Sequence, residues 1–173
     1  MYYIEYIVFV IINLTVNKHR LGEMNMSFQE KKIIVSLCTT VLIFILYTIN
    51  VFQTYQDRSL DPTETFKFWA AAILILIPIA IVAKLIIHII FSIINTIATK
   101  EKEPKFADEL DKLIGLKALR NSHFVFVLGF LLSISSLVLD MSPSVMFIIL
   151  FFSGFLSEVA GNVTQLYMYR RGV

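Results

Sequence analysis

Apolar residues run through this chain in four long blocks, each closed by a short polar stretch. The blocks cover Ile33 to Phe52, Phe68 to Ala98, Phe124 to Leu139 and Val145 to Tyr169. A helix needs about 20 apolar residues to cross a hydrocarbon core of roughly 30 Å. The pattern therefore predicts an all-α polytopic membrane protein with spans at about 33–52, 68–98, 124–139 and 145–169, paired as two hairpins. The second block would reach about 45 Å at 1.5 Å per residue. It must tilt, kink or emerge, and Pro78 offers a kink site.

The polar punctuation supports these boundaries. Ser27 followed by Glu30 is a capping pattern ahead of the first span. Asp61-Pro62 and Met141-Ser142-Pro143-Ser144 are turn signals. Tyr47, Tyr55 and Trp69 suit a membrane interface. Gly129, Ser133, Ser136 and Asp140 form a small-residue face suited to close helix packing.

Met1 to Val16 is apolar but short, and Glu5 interrupts it. Its basic residues Lys18, His19 and Arg20 follow the apolar core, the reverse of a signal peptide. Gly22-Glu23 can be encoded by GGAGAA, a ribosome-binding sequence, with Met24 and Met26 just beyond it. We read residues 1–25 as a non-native upstream extension, with an interfacial helix as the alternative. Residues 26–173 then form a single transmembrane domain.

Composition agrees with the pattern. Of the 173 residues, 57% are hydrophobic and 16% charged, too apolar a mix for a soluble domain of this length. The net charge of +2 is too small for a direct nucleic-acid partner. Heavy use of Ile, Phe, Lys and Asn suits an AT-rich bacterial genome. The single cysteine, Cys38, excludes an intrachain disulfide and reads as a small buried filler. The position of the basic residues sets orientation. Lys31, Lys32, Lys100, Lys102, Lys105, Lys112, Lys117, Arg120, Arg170 and Arg171 share one side, against Arg58 and Lys67 on the other. The positive-inside rule then predicts a bacterial cell-membrane protein with both termini and the central stretch in the cytoplasm.

That central stretch, Lys100 to Asn121, is the only long charged run. Pro104, followed by Phe106, Leu110, Leu113 and Ile114, predicts a helix at about 104–121 with one apolar side on the lipid boundary. Asp108 and Lys112 are i,i+4 partners in the favourable order. The run Asp108-Glu109-Leu110-Asp111-Lys112-Leu113-Ile114, then Lys117, resembles the DERD-x-x-I-x-x-K signature of a family of small bacterial four-span membrane proteins of unknown function. The likeness extends from Ser27 to the end of the chain. Genes of that family commonly lie beside a small helix-turn-helix regulator, so the resemblance implies a cytoplasmic regulatory partner. Leu110 stands where the family usually has Arg, and Gly115 where an acidic residue is common. If those positions bind a ligand, this copy binds it weakly.

Candidate chemistry is confined to two places. The first is the cytoplasmic motif Asp108, Glu109, Asp111, Lys112 and Lys117, read either as a solvated helix face or as a docking face for a protein. The second is inside the membrane. Lys84, His88, Ser92 and Asn95 recur at helical spacing, and Glu158, Asn162 and Gln165 lie on the fourth span. Spans two and four run in the same direction, which places Lys84 about 24 Å and Glu158 about 21 Å below the outer surface. Similar depth predicts that the two charges face each other, with Ser157 and Asn162 nearby and Ser36 or Thr40 of span one in reach. Lys84, His88, Ser92, Glu158, Asn162 and Gln165 then form an intramembrane polar pocket. It is a register-fixing cluster or a ligand or proton site, unless Lys84 snorkels to the interface. No nucleophile elbow, HExxH, phosphate loop or converging metal-ligand set is present, so no enzyme activity, cofactor or metal is predicted. Two functions follow. One is a regulatory or sensor/anchor protein that engages a cytoplasmic partner through the central helix. The other is a small transporter or permease subunit, working as a homodimer, that uses Lys84, His88 and Glu158.

Overall fold

The computed structural model describes residues 27–56, 61–99 and 109–171. They form four helices: α1 (Phe28–Gln56), α2 (Pro62–Thr99), α3 (Glu109–Val138) and α4 (Pro143–Arg171). All four are long and apolar enough to cross a membrane, and no strand occurs among the described residues. The extension at 1–25 and the start of the central stretch, 100–108 with Pro104, Phe106 and Asp108, lie outside the described residues.

Each helix overruns its apolar block, because the flanking polar residues cap helices and do not end them. At α1 the Ser27 hydroxyl accepts from the Glu30 N–H at 3.2 Å, and the Glu30 carboxylate accepts from the Ser27 N–H at 2.8 Å. This reciprocal box satisfies two N–H groups that the first turn leaves open. At α2 the Asp61 carboxylate accepts from the Glu64 N–H at 2.7 Å, and Pro62 opens the helix with its φ already fixed. Asp61-Pro62 thus starts α2 six residues before the apolar block. The helix then runs for 38 residues, about 57 Å, straight through Pro78.

The helix expected at 104–121 is not separate from the third span. Glu109 to Val138 is one helix of 30 residues. Its inward positions step by one or two turns, Ile114, Ala118, Ser122 and Gly129, and from Ala118 on they lie against Gly161 and Ser153 of α4. Gly115 weakens a helix by only about 1 kcal/mol, and neither Asn121, Ser122 nor His123 breaks one. Packing therefore carries the helix across the polar-to-apolar boundary.

α3 ends in a Schellman turn. The Met141 N–H reaches the Ser136 carbonyl at 3.0 Å and the Asp140 N–H the Leu137 carbonyl at 3.2 Å, with Asp140 at φ 55°. Asp140 is therefore the left-handed residue of the turn and not a fourth member of the small-residue face; Asp tolerates that conformation better than most side chains. Ser133 and Ser136 are buried, and Ser133 donates to the Met146 carbonyl at 2.8 Å. Gly129 lies so close to α4 that a Cβ there would sit 2.5 Å from the Cβ of Ser153.

α4 is the central helix and packs against the other three. It is antiparallel to α3 and α1 and parallel to α2: Phe66 meets Phe147, and Lys84 meets Glu158. Phe44 of α1 inserts among Phe151, Phe152 and Phe155 of α4, stacking on Phe155 at 3.9 Å. Trp69 is fully buried among Phe52, Tyr55 and Phe68, and the Tyr47 hydroxyl donates to the Ala72 carbonyl at 2.6 Å. These rings clamp helix to helix. Trp69 is a core residue and Tyr47, half-buried, packs against the cluster around it, so both serve helix packing near the span ends. Cys38 is half-buried, not fully enclosed. The outer faces of α2 and α3 expose rows of Leu, Ile and Phe, such as Leu74, Ile81, Ile89, Phe124 and Leu131. So much contiguous apolar surface needs a non-aqueous cover, which a bilayer supplies.

Candidate functional site

The intramembrane stripe of α2 divides between two surroundings. Lys84 turns toward α4 and forms an ion pair with Oε1 of Glu158. Thr40 of α1, itself buried, donates its hydroxyl to the same oxygen at 2.6 Å. Three helices meet at one carboxylate oxygen. This geometry follows from the cost of isolated charge in a membrane: an opposite charge and a hydroxyl at the same depth are the cheapest compensation. Asn162 donates to the Glu158 carbonyl at 3.2 Å on its own helix, and Ser157 donates to the Gly154 carbonyl at 2.9 Å. Both back-bond to α4. Gln165 is half-buried and joins neither group.

His88 and Ser92 leave the Lys84 cluster. Together with Lys32 of α1 they line a groove between α1 and α2, of about 330 Å³. Asn95, one turn further, is buried. The six-residue polar pocket is thus two sites. Lys84, Glu158 and Thr40 form a staple between three helices, while His88, Ser92 and Lys32 line a groove nearer the end where basic residues gather. Lys32 was read from sequence only as an orientation signal. Its spacing of one turn from Phe28, on the face that packs on α2, is the sequence mark of its second role.

The motif residues of α3 also separate. Asp111 points into the bundle. Its Oδ1 accepts from the Tyr169 hydroxyl of α4 at 2.6 Å, and the Gln29 amide of α1 approaches Oδ2 at 3.5 Å. Nearby, Glu30 and Arg170 approach at 3.8 Å. Asp111 therefore ties α1, α3 and α4 at the basic end. Tyr169 and Gln29 carried no sequence signal beyond being polar near a span end. Glu109 and Lys112 are exposed and Lys117 is half-buried. Asp108 lies outside the described residues. Among the described residues no group of three or more His, Cys, Asp or Glu side chains could hold a metal ion.

No family model, curated protein or solved structure matches this chain.

Proposed function

We propose that this is a regulatory or sensor/anchor protein of a bacterial cell membrane, with both termini in the cytoplasm, whose α3 helix engages a cytoplasmic protein. The proposal includes two hairpins, α1–α2 and α3–α4, entering from the basic side. One observation carries it. The first turns of α3 are fixed on their inner side by Asp111, Ile114 and Ala118, while Glu109, Lys112, Leu113, Leu116, Leu119 and Arg120 face outward. Leu116 and Leu119 are 66% and 67% exposed beside charges of both signs. A helix held rigidly from behind, with leucines and charges interleaved in front, suits a protein groove. The DERD resemblance points the same way through its neighbouring helix-turn-helix regulator. Of the motif, Glu109 and Lys112 would contact the partner, and Asp111 would hold the helix in place.

The test is a photo-crosslinking residue at Leu116 in living cells, with Leu131, on the lipid-facing part of the same helix, as control. The expected result is one soluble protein adduct at Leu116 that is absent at Leu131 and is lost on charge reversal of Lys112 and Arg120. Lipid adducts alone at both positions would refute the proposal.

The Lys84–Glu158–Thr40 cluster favours a second reading, a small transporter or permease subunit acting as a homodimer. Four spans are few for a secondary transporter, which commonly uses repeated halves. Loss of ion-driven flux in vesicles on Glu158→Gln, with bundle stability retained, would select it.

A further inference from the structure

The groove between α1 and α2 has two halves of different chemistry. Lys32, His88 and Ser92 supply a cation, an imidazole and a hydroxyl. Leu85, Ile89 and Ile93, on the same stretch of α2, are 58%, 60% and 55% exposed and continue the groove outward as an apolar lane. Phe28 and Phe91, whose rings lie 5.6 Å apart, join the two helices behind it.

Depth in the bilayer matches this division. Measured along α2 from its midpoint, Ser92 lies about 17 Å and His88 about 11 Å toward the basic end. The hydrocarbon core extends about 15 Å from the midplane and the headgroup layer about 21 Å. Ser92 therefore stands in the headgroup layer and His88 one turn below it, in the outermost part of the hydrocarbon core. Lys32 lies at the same level, because Phe28 packs on Phe91, and Val35 packs with Ile87. From there the lane runs through Ile89 and Leu85 into the acyl region. A basic, hydroxyl-bearing notch at headgroup depth, open to an apolar lane, has the chemistry of a lipid phosphate with its chain attached.

We propose that this groove binds an anionic phospholipid. Its phosphate meets Lys32 and Ser92, the ester region below it meets His88, and one acyl chain lies along Ile89 and Leu85. About 330 Å³ accommodates a phosphoglycerol headgroup but no macromolecule. The anionic class is chosen because Lys32 brings a positive charge to the notch and, among the described residues, no acidic side chain lines it.

The test uses the full chain in nanodiscs and bilayer-mimicking micelles. Native mass spectrometry compares retained phosphatidylglycerol with retained phosphatidylcholine for wild type, Lys32→Gln and Lys117→Gln. Wild type retains phosphatidylglycerol selectively. Lys32→Gln loses about fivefold in retention, the contribution of one basic residue near an anionic surface, and Lys117→Gln behaves as wild type. Equal losses in the two variants would mean diffuse charge attraction and would overturn the site. So would equal retention of the zwitterionic lipid. Full competition by millimolar inorganic phosphate would make it a free-anion site and refute the lipid assignment. As an arm that needs no substitution, a photoactivatable phosphatidylglycerol on the wild-type chain labels the peptides with Phe28–Lys32 and Leu85–Ile93. Labelling spread over α3 instead overturns the proposal.

Discussion

Exchanging the charges of Lys84 and Glu158 tests the centre of the bundle directly. Lys84→Glu places two carboxylates where one was neutralised, and Glu158→Lys places two ammonium groups there. Each single change leaves a charge in the membrane without its partner. On insertion scales an uncompensated charge near the midplane costs about 2.5–3.5 kcal/mol. The two side chains are 27% and 34% exposed, so the pair is not sealed and the lower figure applies. About 2.5 kcal/mol is roughly a sixtyfold change in the folded-to-unfolded ratio. The double exchange restores the opposite charges. It also retains the third contact, because the Thr40 hydroxyl that donates to Glu158 can accept from a lysine at the same place. Membrane yield and thermal unfolding in nanodiscs should therefore fall for each single variant and recover most of the loss in the double variant. A double variant no better than the worse single would show that the two side chains do not meet, and both the staple and the transporter reading would fall with it.

Gly129→Ala forces a Cβ into Ser153 and should destabilise the α3–α4 contact by about 1–3 kcal/mol, whereas adding Ser153→Gly should restore it and Gly154→Ala, with open space around it, should be neutral in the same thermal assay. Asp140→Val puts a β-branched residue at φ 55° and should lower stability by about 1–2 kcal/mol, while Asp140→Gly should be neutral or stabilising. Asp111→Ala removes the acceptor of the Tyr169 hydroxyl and should raise hydrogen exchange at both the start of α3 and the end of α4; a change at α3 alone would show that the tie is not used. Cytoplasm-active reporters fused after Lys105 and after the C-terminus should be active and one after Asp61 inactive, and activity at Asp61 would reverse the proposed orientation.

Helix number and class are written in the apolar blocks because a bilayer sets one length scale for every span. Helix ends are not. They depend on caps and packing: the Ser27–Glu30 box, which the sequence does show, starts α1, whereas Asp61, read there only as a turn signal, caps α2, and both lie beyond the apolar blocks. The continuity of α3 was hidden for the same reason: composition changes at the membrane surface, while the inner row of Ile114, Ala118, Ser122 and Gly129 continues through it.

Depth explains which part of the candidate site could be read in advance. In two parallel spans, residue number converts to depth, and two costly opposite charges at equal depth have a strong reason to meet; Lys84 and Glu158 do. Rotation about the helix axis has no such ruler. Lys84, His88 and Ser92 step by about 40° each on an ideal helix, about 80° in all at 3.6 residues per turn, and from sequence they read as one stripe. Over those eight residues α2 crosses from facing α4 to facing the start of α1, so the stripe meets Glu158 at one end and Lys32 at the other. A stripe that outlasts its neighbour has to change partners. This is why one predicted pocket is resolved into a staple inside the bundle and a groove at its edge, and why the residue that completes the groove, Lys32, comes from a segment whose charge had already been assigned to orientation alone.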